Sequence, residues 1–307
     1  MSVSQIRRYA VSWNQRIREM RQLRQNAKLV GGPSTVFATR KKLVERKTSD
    51  TLFVLGCGSS INEITEPEWE RIGQYDTFGF NFWAIHDFVP TYYMLECSFN
   101  QSFLDLMIDM VNYRAERYQG TPIMVRRIIN EKIDPTRRFW ENTPGVEKWQ
   151  VMCPSIPVLD PNDRKSFEKA TSTVLRTGIF DLGLSMSQFW HFRASLSSIL
   201  CMSTALGYRR VILCGVDLSS TGYFFDTPAY SGRLPVAPVV VQESGVHKSV
   251  NKEHGGVSIA DVIEVWNERI FHRRGIELFV YSKNSLLAEF LPVYPGGSGG
   301  DSGRGRE

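Results

Sequence analysis

The sequence of 307 residues lacks several features that define common classes of protein. No apolar run approaches the roughly 18 residues that a membrane-spanning helix needs, and the N-terminus lacks the apolar core of a secretory signal. The five cysteines are widely spaced and include no C-x-x-C pair, which argues against zinc-ribbon and thioredoxin motifs. We therefore expect a soluble or peripheral cytoplasmic protein whose thiols are mostly buried.

Two nucleotide-binding signatures are also missing. The chain contains no G-x-x-x-x-G-K-[ST] sequence, so a P-loop site for a nucleoside triphosphate is not expected. It also contains no D-x-D pair, with which many transferases hold a metal ion against a nucleotide diphosphate. A nucleotide ligand with a single phosphate needs no such metal clamp, so we expect neither a metal nor another cofactor.

The basic residues are concentrated at the N-terminus. Residues 1–48 hold twelve Lys and Arg against Glu19 and Glu45, a balance of +10, so the net charge of +5 leaves about −5 for the remainder. Apolar residues recur every three or four positions over 5–28, which predicts a basic amphipathic helix. The helix either packs on its own domain or a second subunit, or lies on anionic lipid with Trp13 at the interface. No nucleic-acid motif follows, so no such partner is expected.

The rest of the chain alternates between strand and helix patterns. The predicted strands are 52–55, 76–82, 91–96, 122–127, 210–214 and 277–281, and the predicted helices are 62–73, 103–117, 197–206 and 259–274. This alternation predicts an α/β fold whose parallel sheet binds ligands at the carboxyl ends of its strands. Residues 134–165 have the composition of a loop. We expect a basic arm over 1–48, a catalytic domain over 49–295 with a lid at about 218–257, and a flexible tail over 296–307.

A glycine turn follows the first strand of the catalytic domain, in the sequence TLFVLGCGSSINEI. Gly56 and Gly58 are present, but Ile61 stands at the third glycine position of a dinucleotide fingerprint. The second strand ends at Asn81 where that fingerprint has an acid. The hydroxyls of Ser59 and Ser60, with backbone N–H groups at a helix start, suit one phosphate or the adjoining ribose. A methyltransferase cofactor turn remains an alternative.

Three segments together resemble a known family. They are LGCGSSINEI with GFNFW after it, SLSSILCMSTALGYRRVILCGVDLSSTGYFFD at 195–226, and HGGVSIADVIEVWNERIFHRRGIELFVYSKNSLLAEF at 254–290. In this order they resemble the bacterial lipooligosaccharide sialyltransferases, glycosyltransferase family 42. The resemblance is loose over 50–130 and better over 193–295.

The resemblance implies both a fold and a reaction. The fold is a modified single Rossmann-like nucleotide-binding domain, GT-A-like, with a mostly parallel sheet and a flexible lid. The reaction is inverting transfer of sialic acid from CMP-sialic acid to a glycan or glycolipid hydroxyl, without a required metal. The family positions that hold the donor fall on Gly56, Cys57, Gly58, Ser60, Asn81 and Ser195, the leaving-phosphate position on Tyr223, and the general base on His254.

Four positions depart from the family pattern. An asparagine of the glycine turn is Cys57 here, a second phosphate tyrosine is Ser219, and a donor-contacting asparagine is Glu96. An arginine associated with the donor carboxylate is displaced by one position, to Arg193. These departures surround the donor, so they bear on the identity of the sugar more than on the reaction class.

Several residues have competing interpretations. His247 in the lid is the second candidate for the base, whereas His86, His191 and His272 are expected to be structural. Arg193 competes with Arg176 for the donor carboxylate. Glu96 accepts hydrogen bonds from ribose or sugar hydroxyls in one interpretation, and acts as a nucleophile with retention in another. Asp217 either contributes to the site or caps the turn that follows it.

The sequence therefore predicts a glycosyltransferase that uses a CMP-activated nonulosonic acid, most simply sialic acid. Three alternatives remain. The donor could be CMP-3-deoxy-manno-octulosonic acid, the glycine turn could serve an S-adenosylmethionine-dependent methyltransferase, or the chain could be a non-catalytic partner in glycan assembly.

Overall fold

The computed structural model describes residues 36–126, 135–155, 162–219, 222–230, 247, 249–250 and 256–297. Eight strands of this part of the chain form one sheet: β1 (Val36–Phe37), β2 (Thr51–Leu55), β3 (Asp76–Phe80), β4 (Tyr92–Glu96), β5 (Ile123–Arg126), β6 (Lys148–Val151), β7 (Arg210–Cys214) and β8 (Glu277–Val280). Every pairing between neighbouring strands is parallel. The predicted α/β class and Rossmann-like parallel sheet are thereby confirmed.

Helices connect these strands. The α-helices are α1 (Arg40–Val44), α2 (Glu66–Ile72), α3 (Gln101–Tyr113), α4 (Pro135–Asn142), α5 (Arg164–Arg176), α6 (Ile179–Ser185), α7 (Ser195–Leu206) and α8 (Ile259–Trp266). Short 3₁₀ segments lie at Ser59–Glu63, Asn81–Ile85, Phe224–Asp226, Pro228–Tyr230, His272–Arg274 and Leu286–Glu289, and a π-helical turn at Asn267–Phe271 extends α8. Within the described residues, no helix has the length and apolarity needed to span a membrane.

The strand order is β1-β6-β5-β4-β3-β2-β7-β8. From β2 the chain progresses to one side of the sheet through β3, β4, β5 and β6, and then returns to place β7 on the other side of β2. At such a reversal the loops that leave neighbouring strands diverge, which opens a crevice at the carboxyl edge. The topology therefore places the glycine turn after β2 and the segment after β7 beside one crevice.

The central strands are apolar on both faces because helices cover the sheet on both sides. Every residue of β2 is buried. Leu52 and Val54 belong to the core on one side, and Phe53 and Leu55 to the core on the other. This division follows from the alternation of side chains along a strand, and the continuous apolar run is typical of a buried parallel sheet.

The central helix α7 is buried along its whole length. It ends at Gly207, whose φ of 71° is a left-handed conformation that glycine adopts readily. Because α7 crosses over between parallel strands, its N-terminus lies at the carboxyl edge of the sheet. The predicted helix over 197–206 begins two residues too late, so it omits Ser195, which stands at the start of the helix.

The prediction of a loop over 134–165 is wrong. This stretch contains α4 and β6, and α5 begins at Arg164. β6 has only four residues, and Trp149 and Gln150 are buried although the surrounding sequence is rich in Pro and Asn. A strand this short shows little periodicity, and burial of the strand comes from pairing with β1 and β5.

The predicted helix over 62–73 is also corrected. The chain first forms the 3₁₀ segment Ser59–Glu63, and α2 then begins after Thr65, which forms a capping box with Glu68. β3 ends two residues before the predicted end of its strand because Asn81 has a φ of 53°. Residues 36–44, within the predicted basic arm, contribute β1 and α1 to the fold. The predicted helix over 5–28, the tail from residue 298 and most of the predicted lid lie outside the described residues.

Candidate functional site

A cavity of about 640 Å³ lies at the carboxyl edge of the sheet, beside the crevice between β2 and β7. Eight residues proposed from the sequence line it: Cys57, Gly58, Asn81, Glu96, Arg193, Ser195, Asp217 and Tyr223. His247, the second candidate for the base, lines it too. Four proposed residues are not among the lining residues, namely Gly56, Ser59, Ser60 and Ser219. His254 lies outside the described residues.

The glycine turn is held tightly against the segment that follows β7. The Gly56 N–H donates to the Cys214 carbonyl over 2.8 Å, and the Gly58 N–H donates to the Gly215 carbonyl over 2.8 Å. A Cβ atom on Gly56 would overlap the Gly215 carbonyl oxygen. Gly215 itself has a φ of 62°. These glycines therefore allow two loops to approach closely, and the N–H groups of Gly56 and Gly58 already have partners within the protein.

Asp217 completes this connection. Its Oδ2 accepts from the Ser60 N–H over 2.9 Å, its Oδ1 accepts from the Ser60 hydroxyl, and the Ser59 hydroxyl lies 3.5 Å from Oδ2. A Cβ on Gly58 would overlap the same carboxylate. Asp217 thus caps the 3₁₀ segment that begins at Ser59, while also lining the cavity. The donors of Ser60 point at Asp217 and not into the cavity.

Asn81 presents a polar atom that the protein does not satisfy. Its left-handed φ of 53° is a conformation that asparagine tolerates better than most residues. Its backbone carbonyl accepts a hydrogen bond from the Tyr93 hydroxyl. Its side-chain Oδ1 is buried and has no hydrogen-bond partner. Because an unsatisfied buried acceptor costs about 1–3 kcal/mol, this oxygen is suited to a donor group of a ligand.

Glu96 and Arg126 form an ion pair in the cavity wall. They end β4 and β5 at equivalent positions, and Arg126 Nη1 lies 2.7 Å from Glu96 Oε1. The Ser195 hydroxyl donates to Glu96 Oε2 over 2.5 Å. Burial alone would raise the pKa of Glu96, but Arg126 and the Ser195 hydroxyl outweigh it and lower the pKa below its usual value. Glu96 is therefore ionised at neutral pH.

His191 lies close to this pair. Burial lowers the pKa of His191 to about 4, and the positive charge of Arg126 acts in the same direction, while Glu96 opposes it. Its Nδ1 lies 3.3 Å from the Ser198 hydroxyl. His191 is neutral at neutral pH and does not line the cavity, in keeping with the structural role expected for it.

Tyr223 also lines the cavity. Its ring stacks on Phe225 with centroids 4.9 Å apart, and the following N–H, of Phe224, donates to the Cys57 carbonyl over 3.0 Å. Burial raises the pKa of Tyr223 to about 12, with further contributions from Cys57 and Asp226. The phenol therefore remains a neutral hydrogen-bond donor over the physiological pH range.

Two residues of the lid region have different positions. His247 lines the cavity, and its Nδ1 lies 2.7 Å from the hydroxyl of Ser249, which also lines it. The Ser219 hydroxyl donates to the Asn284 carbonyl over 2.8 Å, so it is engaged outside the cavity.

Arg193 lines the cavity just before α7, in a left-handed conformation with a φ of 67°.

Cys57 packs in the cavity wall and is not a reactive thiol. Its Sγ lies 3.6 Å from the Phe80 carbonyl, to which the thiol donates. Burial raises the pKa of this thiol to about 12, only partly offset by a backbone hydrogen bond. A thiol with so high a pKa is protonated at neutral pH and is a poor nucleophile.

The sequence patterns do not predict Arg126 or an apolar part of the cavity wall. Arg126 follows no motif, and its position at the end of β5, beside Glu96, becomes evident only from the strand register. The apolar part is formed by Phe80, Phe82, Phe99, Phe103 and Met107. Phe103 and Met107 lie on α3 four residues apart, a spacing that predicts a shared helix face but not which cavity that face borders.

Within the described residues, no group of three or more His, Cys, Asp and Glu side chains is arranged to hold a metal ion. The cavity wall contains two arginines, Arg126 and Arg193, the carboxylates of Glu96 and Asp217, and the N-terminus of α7. This arrangement suits a strongly polar ligand.

No protein-family model and no curated protein matches the sequence. Solved structures do match the fold. The sialyltransferase CstII from Campylobacter jejuni, in complex with the substrate analogue CMP-3FNeuAc, is 17% identical with a TM-score of 0.42, over 81% of this chain and 87% of that one. The monofunctional alpha-2,3-sialyltransferase Cst-I from Campylobacter jejuni is 12% identical with a TM-score of 0.40, over 80% and 82%.

A further match is the sialyltransferase CST-II in complex with a trisaccharide acceptor and CMP, which is 17% identical with a TM-score of 0.42 over 80% of this chain and 86% of that one. These neighbours are sialyltransferases, the class that the three sequence segments resemble. A likeness at this identity and score assigns no function to the chain.

Proposed function

We propose that the protein is a glycosyltransferase of the GT-A-like, single-domain type, which transfers a nonulosonic acid from a CMP-activated donor to a glycan hydroxyl. Sialic acid is the first candidate for the transferred sugar, and the reaction inverts the anomeric centre without a metal ion. The observation that carries the proposal is the cavity at the β2–β7 crevice. Its wall includes Asn81, Glu96, Ser195 and Tyr223, four positions that the resemblance assigns to the donor.

The side chains of the cavity suit the chemistry of such a transfer. As the bond between the anomeric carbon and the phosphate breaks, negative charge grows on the departing phosphate. The Tyr223 hydroxyl is a neutral donor for that phosphate. Arg193 offers a planar guanidinium for the donor carboxylate. The N-terminus of α7 adds a positive dipole end to the same wall.

The acceptor hydroxyl must lose its proton as it attacks the anomeric carbon. The resemblance assigns this role of general base to His254, and His247 is the described histidine that lines the cavity. A histidine suits the role because its ordinary pKa is close to neutrality.

The test is a donor panel assayed for release of CMP, with the anomeric configuration of the product determined by NMR. We expect release from CMP-sialic acid and inversion, with loss of at least about 100-fold in His254→Ala and a smaller loss in His247→Ala. If His247→Ala lost more activity than His254→Ala, His247 and not His254 would be the general base. Preference for CMP-3-deoxy-manno-octulosonic acid would change the donor. Protection against thermal unfolding by S-adenosylmethionine, but not by CMP, would contradict the proposal.

We also propose that the basic segment at the N-terminus attracts the enzyme to an anionic membrane surface carrying its acceptor. The support is the balance of +10 over residues 1–48. Deletion of residues 1–30 should weaken binding to vesicles containing anionic lipid and leave activity on a soluble acceptor unchanged. Equal vesicle binding by both forms would contradict this proposal.

A further inference from the structure

The pair formed by Glu96 and Arg126 has no assigned role beyond the donor contact that the resemblance implies for Glu96. The two residues are direct neighbours in the register of β4 and β5, at the last position of each strand. Both side chains line the cavity, with relative exposures of 28% for Glu96 and 14% for Arg126. The pair is thus largely withdrawn from solvent and yet borders the cavity.

Stability alone does not account for such a pair. Removing two charges from water costs about as much as their attraction returns, so a buried ion pair is weak evidence for stabilisation. The same sheet contains a second ion pair, Arg210 with Glu277, at the first positions of β7 and β8. This pair links the two strands and does not line the cavity. That pair is exposed, with relative side-chain exposures of 47% and 61%, and its closest atoms lie 3.4 Å apart.

The hydrogen-bonding capacity of the pair is only partly used. The Ser195 hydroxyl occupies one site on Glu96 Oε2, and Arg126 Nη1 forms an ion pair with Oε1 at 2.7 Å. Each carboxylate oxygen accepts two hydrogen bonds, so acceptor capacity remains. Arg126 Nε and Nη1 are buried, and neither has a hydrogen-bond partner. Both residues line the cavity, so acceptor and donor capacity remains unused in its wall.

The charge of the pair restricts what it can bind. Glu96 and Arg126 neutralise one another, and His191 beside them is uncharged. A phosphate or carboxylate would bring a negative charge against Glu96. A single hydroxyl can donate to the carboxylate and accept from the guanidinium only where both groups reach the same oxygen atom. Two adjacent hydroxyl groups satisfy both, because one donates to the carboxylate while its neighbour accepts from the guanidinium.

We propose that Glu96 and Arg126 together bind a vicinal diol of the ligand, and that Arg126 is a specificity-determining residue of the site. This inference rests on the proposed function. A CMP-activated nonulosonic acid carries two such diols, one on the ribose and one at the end of the sugar side chain. The chemistry is the same in both places, so the experiment has one arm for each.

The experiment compares dissociation constants by calorimetry. The first arm uses CMP against 2′-deoxy-CMP. The second uses CMP-sialic acid against the same donor with its side chain shortened to remove the terminal diol. We expect the wild-type protein to prefer the diol-bearing ligand by about tenfold or more in one arm, the usual scale for a hydrogen bond to a charged group. Glu96→Gln and Arg126→Met should each reduce that preference to about twofold or less.

The controls separate recognition from folding. The matched variant Arg210→Met with Glu277→Gln removes the exposed pair of the same sheet and should leave both preferences unchanged. Thermal unfolding reports whether each variant is folded. If a single variant at the cavity does not fold, the double variant Glu96→Gln with Arg126→Met supplies the test, because it removes both charges together and leaves neither unpaired.

Each outcome bears on the inference. Preference for the diol that persists in the cavity variants overturns it. The inference is also overturned if the wild-type protein binds CMP and releases it from the donor but shows no preference for the diol-bearing ligand in either arm. The proposed function is unaffected by that result. A wild-type protein that binds neither CMP nor any CMP-sugar overturns both. A preference present in one arm and lost in both single variants supports the inference and locates the diol.

Discussion

Asp217 accepts hydrogen bonds from both the backbone N–H and the hydroxyl of Ser60, and so joins the segment after β7 to the turn after β2. These hydrogen bonds lie at the point where the strand order reverses. They connect the loops of two strands that are neighbours in the sheet but far apart in sequence. One carboxylate thereby fixes the wall of the cavity and satisfies the start of the 3₁₀ segment Ser59–Glu63.

Removal of that carboxylate should destabilise the fold. We expect Asp217→Ala to lower the free energy of unfolding by about 1–3 kcal/mol, because the buried Ser60 N–H loses its acceptor. Ser60→Ala should cost less, about 0.5–1.5 kcal/mol, since it removes only the hydroxyl. Urea unfolding measures both. Asp50→Asn is the control, because the Asp50 side chain is 63% exposed and its pair with Lys47 should contribute little. Equal losses at Asp50 and Asp217 would contradict this account.

The glycine turn makes a second prediction. Gly58→Ala places a methyl group against the Asp217 carboxylate, and we expect a loss of about 1–3 kcal/mol from overpacking. Gly120→Ala is the matched control, because a Cβ there meets no atom within 4 Å and surface changes of this kind are usually within about 0.5 kcal/mol. The measurement is again urea unfolding. If Gly58→Ala unfolds at the wild-type urea concentration, the two loops are less closely packed than the structure has them.

Asp217 shows how much of the site the sequence alone predicts. The sequence predicts that Asp217 either contributes to the site or caps the turn that follows it. Asp217 lines the cavity, but the segment that it caps follows β2 and not β7. That partner is 157 residues away in sequence. Local turn chemistry predicts a capping residue but not a cap across the sheet.

The strands with continuous apolar runs, such as β2 and β7, were predicted to within one residue because burial on both faces leaves a strong signal. β6 was missed because four residues give almost no period and its burial comes from partners elsewhere. The two members of the ion pair differ in the same way. The resemblance identifies Glu96, whereas nothing in the sequence identifies Arg126. The charge partner of Glu96 depends on the register of β4 with β5, which no short pattern in the sequence contains.

Tyr223 provides a test of the proposed chemistry and of its pH dependence. We expect Tyr223→Phe to lower kcat for CMP release by about 10²-fold, because one hydrogen bond to the departing phosphate is lost. Since burial raises the pKa of Tyr223 to about 12, the phenol stays protonated through pH 10, where an ordinary tyrosine is half ionised. The wild-type rate should therefore show no decline from this residue up to that pH.

The control for Tyr223 is Tyr113→Phe, because the Tyr113 side chain is 55% exposed and lies outside the cavity wall. That variant should keep the wild-type kcat. A Tyr223→Phe enzyme with unchanged kcat and unchanged pH profile would show that Tyr223 serves only as a packed aromatic residue on Phe225.

His191 should make the stability of the fold depend on pH. Burial, assisted by Arg126, lowers its pKa to about 4 in the folded state, whereas the unfolded chain has a histidine pKa of about 6.5. Between these values the unfolded chain binds a proton that the folded protein does not bind. The contribution to stability is therefore fully present above pH 6.5, and it is lost progressively as the pH falls towards 4. Glu96, whose pKa is also lowered by its environment, contributes with the same sign as it becomes protonated.

The measurement is urea unfolding at a series of pH values between 4 and 7.5. In His191→Asn the site cannot titrate, so the fall in stability with decreasing pH should be clearly shallower than in the wild-type protein. His272→Asn is the control, because His272 is exposed on the surface and its replacement should leave the wild-type slope intact. Parallel pH profiles for the wild type and His191→Asn would show that His191 is not held neutral, and the surroundings of the Glu96–Arg126 pair would then carry an additional positive charge.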